Sequence, residues 1–324
     1  MFPHLIDLAS ELVGGAALAA SDEFFAPKED LLKASVPVFI PDKYTQQGKW
    51  MDGWESRRKR TPGHDWCIIR LGIAGVIRTV DVDTSHFVGN FPSHCSLDLA
   101  HCSGLPSDAD WKPGFGKTRL QGGGHNLIDV FDAGRASHVR LNIFPDGGVA
   151  RLRVYGEASP DFARLAASKE PVDLASVVNG GLVLASSDEF FGEQQNMIMP
   201  GRPANMGGAW ETRRRRGPGY DWIIVKLGTT TNIERIAVET EYHIGNYPDS
   251  CSIDSCDAPG ALVQDLITGR VPWAEILPQT KLAPDAVRLF ETELKPSGRA
   301  THLRLSIYPD GGISRLRVFG KIVE

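Results

Sequence analysis

The sequence predicts an all-β protein built as two tandem β-sandwiches, and three observations carry that prediction. Short apolar runs and period-two alternation outnumber helical periodicity along the chain. A turn signature, Pro-Asp-Gly-Gly, stands between strand-like runs at 145–148 and again at 309–312. Most tellingly, the second half of the chain restates the first. Asp-Leu-Ala-Ser at 7–10 returns at 173–176 and SDEFF at 21–25 returns at 187–191, both displaced by 166 positions. GWESRRKRTPGHDW at 53–66 matches AWETRRRRGPGYDW at 209–222, displaced by 156, and the same displacement pairs VGNFPSHCSLD at 88–98 with IGNYPDSCSID at 244–254. SHVRLNIFPDGGVARLRVYG at 137–156 then matches THLRLSIYPDGGISRLRVFG at 301–320, displaced by 164.

A period this long exceeds any solenoid unit and fits duplication of a whole domain. The changes in displacement place ten extra residues in the first copy, within 26–50, and eight in the second, within 255–300. Both segments are rich in Pro, Gly and charge, where surface loops tolerate insertion. The expected organisation is a first repeat over 1–157, a polar linker over 158–170 that suits a short helix, and a second repeat over 171–324.

Within a copy the elements follow in order. Residues 5–20 carry the one clear stretch of helical periodicity in the first copy. WCIIRL (66–71) and its counterpart WIIVKL (222–227) are short apolar strands closed by Gly, and VDVDTSHF alternates as a further strand. HVRLNIFP and RLRVYG alternate too, so Arg140, Arg151 and Arg153 project from a sheet face or its rim. Short turns are expected near 262–277, and about eight strands per repeat with long connections complete a sandwich.

Composition agrees with a globular chain: 324 residues, 42% hydrophobic, 23% charged, with 34 Gly and 21 Pro. The formal net charge of −5 argues against nucleic acid and anionic membranes as partners, because counterion-release binding needs a basic field. No apolar run is long enough for a membrane span, and the N-terminal stretch lacks a basic leader region, so a cytoplasmic location is expected. Five cysteines without a CxxC pair indicate reduced, mostly buried thiols, with neither a disulfide framework nor a zinc site.

The block 52–66 joins Glu55 to four cations at 57–60 and to Asp65. Clustered arginines suit a carboxylate or ureido ligand, since the guanidinium fork makes paired planar hydrogen bonds. The same arginines could instead pair with Glu55, Asp65, Glu211 and Asp221 inside the fold. In the Pro-Asp-Gly-Gly turn, Pro presets φ and Gly supplies positive φ; its Asp146 and the nearby Arg140 could reach a site at the loop end. Histidines differ between copies: His86-Phe87 faces Tyr242-His243, His64 faces Tyr220, and His94 faces Ser250. Each has the pKa for acid–base work near neutrality, or serves packing. No phosphate-binding loop, dinucleotide fingerprint, HExxH or GxSxG occurs, which disfavours nucleotide-driven and serine-hydrolase chemistry.

ASDEFF at 20–25, DGWESRRKRTPGHDW at 52–66, HFVGNFP at 86–92 and RLNIFPDGGVARLRVYG at 140–156, with their second-copy counterparts, resemble the allantoicase family. The resemblance spans nearly the whole chain. It implies two tandem jelly rolls of galactose-binding-like type, and hydrolysis of allantoate to (S)-ureidoglycolate and urea in allantoin degradation. The expected partners are allantoate and further copies of the chain in a homo-oligomer. For the site, it suggests Arg57, Arg58 or Arg140 for the substrate carboxylate, with Trp54 beside them. Glu55 or Asp65 would do acid–base work, and Asn90 or His86 would hold the ureido oxygen. Glu211, Arg213, Asp221, His243 and Asn246 would form the second site or only scaffold. No motif requires a cofactor, and divalent-metal dependence stays open: carboxylates and histidines are present, but no ligand spacing announces a site. A different class remains open: a non-catalytic sugar- or small-anion-binding sandwich, with Trp50, Trp54 and Trp66 as a stacking platform; an assembly scaffold is a third.

Overall fold

A computed structural model describes residues 5–323, so the extreme ends of the two expected repeats, 1–4 and 324, lie outside the described residues. The chain divides into two units, Met1–Ser159 and Pro160–Glu324. In the first unit the strands are β1 (Ile6–Asp7), β2 (Ala16–Ala20), β3 (Tyr44–Thr45), β4 (Gly48–Lys49), β5 (Trp54–Glu55) and β6 (Asp65–Asp83). They continue with β7 (His94–Ala100), β8 (Lys112–Arg119), β9 (Leu127–Asp129), β10 (Arg135–Phe144), β11 (Gly148–Val149) and β12 (Arg151–Ala158).

The long strand β6 organises this unit. Its first half pairs with β2 and β10, and its second half pairs with β12 and β9. One layer therefore reads β2-β6-β10-β7-β8 and the other β1-β12-β6-β9, with β6 common to both. A strand that changes sheets in this way makes the corner of a sandwich. The corner falls where side chains are not tolerated: a Cβ on Gly72 would lie 2.3 Å from the Val13 carbonyl oxygen, and one on Gly75 2.3 Å from that of Glu157. The two runs expected as separate strands are thus one strand of 19 residues, and the glycine marks a bend rather than an end.

Alternation supplies the core between the layers. Ile69, Val80, Val82, Leu97, Val139, Leu141, Ile143, Leu152 and Val154 are fully buried. The helical reading of 5–20 is corrected by the structure, where β1, a single 3-10 turn at Glu11–Val13 and β2 occupy that stretch. Gly14 takes the left-handed conformation (φ 91°) and stops the turn, after which Ala16–Ala20 pairs along β6 as an edge strand.

The second unit repeats the plan. After helix α1 (Phe162–Ala166) come β13 (Val172–Asp173), β14 (Leu182–Ser186), β15 (Trp210–Glu211), β16 (Asp221–Glu239) and β17 (Ser250–Cys256). Helix α2 (Val263–Thr268), β18 (Ala274–Lys281), β19 (Val287–Phe290), β20 (Arg299–Tyr308), β21 (Gly312–Ile313) and β22 (Arg315–Ile322) complete it. The sheet order β13-β22-β16-β20-β17-β18, with β14 and β19 on β16, matches that of the first unit strand for strand. Each repeat is a jelly-roll β-sandwich.

Candidate active site

At one end of each sandwich three loop segments are stitched together by short hydrogen bonds. In the first repeat β5 pairs with β11, setting Glu55 opposite Gly148. Ser56 N donates to the Gly147 carbonyl (3.1 Å), and Gly147 N donates back to Ser56 Oγ (3.2 Å). Gly148 N donates to the Asn90 carbonyl at 2.8 Å, which draws in the loop after Phe87. Gly147 is needed here: its φ is 137°, and a Cβ would lie 2.6 Å from the Asn90 carbonyl oxygen. The result is that Asn90 Nδ2 donates to Glu55 Oε1 at 2.6 Å. Burial pushes the Glu55 carboxyl above its ordinary pKa, and the Asn90 hydrogen bond opposes that shift without cancelling it.

The basic run closes the other side of the site, with its cations in alternating roles. Lys59 is pinned: its backbone N donates to Asp146 Oδ2 (2.7 Å), and its Nζ pairs with Asp65 (2.8 Å). Arg58 and Arg60 are exposed, and neither makes a hydrogen bond or ion pair among the described residues. They line a cavity of 470 Å³ together with Glu55, Asn90, Phe91, Asp146 and the Pro145-Gly147 turn. A small anion entering it meets two unpaired guanidinium forks on one side and a protonatable carboxyl on the other.

The second repeat builds the same arrangement. Asn246 Nδ2 donates to Glu211 Oε1 at 2.7 Å, Thr212 and Gly311 exchange the stitching bonds, and Arg215 N donates to Asp310 Oδ2 at 2.8 Å. Arg215 also pairs with Asp221, while Arg214 is without a partner among the described residues and lines a cavity of 520 Å³ with Glu211 and Asn246.

Of the expected site residues, the structure brings Glu55, Asn90 and Arg58 together, with Glu211 and Asn246 in the second repeat. The others lie elsewhere. Asp65 and Asp221 are buried beneath the basic loops, accepting from Ser21 and Ser187 and paired with Lys59 and Arg215, so they anchor cations rather than face a ligand. Trp54 is fully buried and donates from Nε1 to the Asp22 carbonyl at 2.8 Å, which also removes it from any stacking platform. Arg57 forks onto Asp22 (2.7 and 2.6 Å) over the Phe24 ring, and Arg213 pairs with Asp188 over Phe190, both outside the cavities. Arg140 is bound to Asp98 (3.1 and 3.0 Å) above Trp111, four residues before the end of β10 at Phe144. His86 borders an adjoining cavity described below. His243 occupies the buried position of Phe87, and neither of its ring nitrogens meets hydrogen-bond geometry.

Two features went unread in the sequence. Arg60 lines the cavity beside Arg58, and only the alternation of pinned and free cations separates them from their neighbours. Arg151 is not at a sheet rim: it is 1% exposed and reaches across to Asp52 (2.7 Å) and to the carbonyls of Asp30 and Ser35, holding the 26–52 segment in place. No group of three or more His, Cys, Asp or Glu side chains is placed to hold a metal ion among the described residues.

Fold and site define a tandem-repeat β-sandwich that offers a small anion an arginine-lined cavity bordered by a buried carboxyl group. The allantoicase repeat matches residues 6–159 and 172–323. The chain belongs to the allantoicase family. It is 49% identical over 319 residues to a probable allantoicase of Burkholderia pseudomallei, covering 98% of this chain and 95% of that protein. It is 47% identical to a probable allantoicase of Photobacterium profundum, covering 98% and 97%. A crystal structure of allantoicase from Saccharomyces cerevisiae superimposes with a TM-score of 0.82 at 32% identity, covering 98% of this chain and 94% of that one.

Proposed function

We propose that this chain is an allantoicase, hydrolysing allantoate to (S)-ureidoglycolate and urea in the breakdown of purines by way of allantoin. The observation that carries the residue assignment is the convergence of Glu55, Asn90 and the unpaired Arg58 and Arg60 on one cavity. Allantoate holds a carboxylate and two ureido groups on one methine carbon. Arg58 and Arg60 bind the carboxylate. Glu55, whose carboxyl pKa burial raises, gives its proton to the nitrogen of the departing arm as the C–N bond breaks, releasing urea. The lone pair of the remaining ureido nitrogen forms a C=N bond to the same carbon, and the nearby carboxylates stabilise the cationic character. Water then adds to that carbon, its oxygen forming the new C–O bond and its proton returning to Glu55. Asp146, fixed by one oxygen to Lys59 N, stands in the same cavity to orient that water.

Substituting Glu55→Gln is expected to lower urea release by about 10²–10⁴-fold, the usual contribution of an acid–base group. Parallel assay of Glu211→Gln decides whether the second cavity turns over; full activity in both variants would overturn the assignment. Activity is expected to survive exhaustive chelation, assayed in the same way.

A homo-oligomer in the cytoplasm belongs to the same reading. The exposed apolar side chains Val36, Val38, Ile40 and Tyr44 support self-association, and the unpaired cysteines support a reducing compartment. Sedimentation at several concentrations tests the assembly.

A further inference from the structure

Glu55 borders two cavities. On the side away from Arg58 and Arg60 lies a chamber of 270 Å³, and Glu55, Asn90, Gly89 and Phe25 line both spaces. The outer wall of the chamber is Phe39, Lys49, Met51 and His86. Phe39 and Lys49 come from segment 26–50, which is ten residues longer than its counterpart in the second repeat. The wall is fixed in place. Asp52, paired with the buried Arg151, accepts a hydrogen bond from Val38 N at 3.0 Å.

The chemistry of the chamber is specific. His86, in the left-handed conformation (φ 70°), stacks on Phe39 with centroids 5.7 Å apart and planes 22° apart. Its Nε2 lies 3.3 Å from the Pro37 carbonyl. A carbonyl can only accept, so Nε2 carries a proton, and in the neutral ring Nδ1 is an acceptor. Lys49 Nζ stands 4.5 Å from the Phe39 ring centroid and brings N–H donors to the same wall. An aromatic surface with one strong donor and one acceptor suits a small planar group that has a carbonyl oxygen and N–H bonds, which describes a ureido group.

We infer that this chamber is the leaving-group subsite: it receives the arm that departs as urea, and it makes the first repeat the seat of turnover. The inference rests on the hydrolytic reading and gives it a direction. With the carboxylate held at Arg58 and Arg60 and the departing arm in the chamber, the bond to be broken lies over the wall between them, where Glu55 stands.

Fragment inhibition tests it. In the wild-type protein, urea below denaturing concentration and glycolate are both expected to compete with allantoate, each from its own side of Glu55. His86→Ala and Lys49→Met should raise the inhibition constant for urea by about tenfold, the scale of one lost hydrogen bond to a charged or fixed partner, and leave that for glycolate unchanged. Arg58→Ala should do the reverse. Phe39→Leu, which keeps an apolar wall, should weaken urea with unchanged thermal stability. Equal shifts for both fragments, or no inhibition of the wild-type protein by urea, would overturn the subsite. Failure of the hydrolytic reading is a separate outcome, seen as no urea release from allantoate by the wild-type protein.

Discussion

Asn90 donates to the carboxyl that must keep its proton, and this opposition can be measured. A general acid works below its pKa and is lost as pH rises through it. Burial raises the Glu55 pKa, and the N–H of Asn90 favours the carboxylate and holds it back. Asn90→Ala is therefore expected to move the basic limb of kcat/KM to higher pH; a limb that stays put would separate Glu55 from that ionisation. At Arg58, replacement by Lys keeps the charge but not the fork, so KM should rise severalfold with a smaller change in kcat. Residue roles were only partly legible in the sequence. Glu55 and Arg58 stood out within a basic block that both copies carry, and Asn90 through the family resemblance. Arg57 and Arg58 are neighbours of one type, and nothing local shows that Asp22 captures the first and leaves the second unpaired. Arg140 misled for a related reason: its partner Asp98 lies on the adjacent strand, so only the register of β10 against β7 brings the two together.

The elements hold the site through backbone geometry, so glycines at two places should behave differently. Gly72→Ala puts a Cβ against the Val13 carbonyl at the sandwich corner and is expected to cost about 1–3 kcal/mol of stability, read by denaturant midpoint. Gly147→Ala strikes the Asn90 carbonyl and is expected to abolish activity beyond any loss of stability, because it pushes apart the loops that place Asn90 on Glu55. Equal effects on folding and turnover at Gly147 would contradict this. Strands were the most legible elements, since alternation over HVRLNIFP and RLRVYG marks the face that carries Val139, Leu141, Ile143, Leu152 and Val154 into the core. The N-terminal segment was not, because an alanine-rich run satisfies helical periodicity and edge-strand pairing alike, and Gly14 and Gly15 decide between them.

Across the whole molecule, the copies share a fold and the buried pair His138 and His302, but differ at the position of Phe87 and His243. His243, buried where the first repeat has Phe87, has its pKa lowered chiefly by burial, with Glu211 opposing; burial likewise lowers His302 to about 4 and His138 below its usual value. The unfolded chain binds protons at these positions near pH 6.5 and the folded chain does not, so stability is full above that pH and declines as pH falls below it. His243→Phe should lessen that acid-side loss in thermal melts. Phenylalanine fills the matching place in the first repeat, where a Cβ added at Gly148 would lie 2.0 Å from the Phe87 ring, as one added at Gly312 would from the His243 ring. Duplication was legible at this scale because it needs only matched order, whereas the wall that Phe39 and Lys49 give the first repeat's second cavity depends on how ten inserted residues fold. The shared strand also governs how each repeat comes apart. Because β6 contributes its backbone to both layers, and β16 does the same in the second unit, neither layer can open without releasing the amides of the other. Native-state hydrogen exchange should thus show the interior amides of a repeat's two layers becoming exchangeable as one cooperative unit, with a common denaturant dependence.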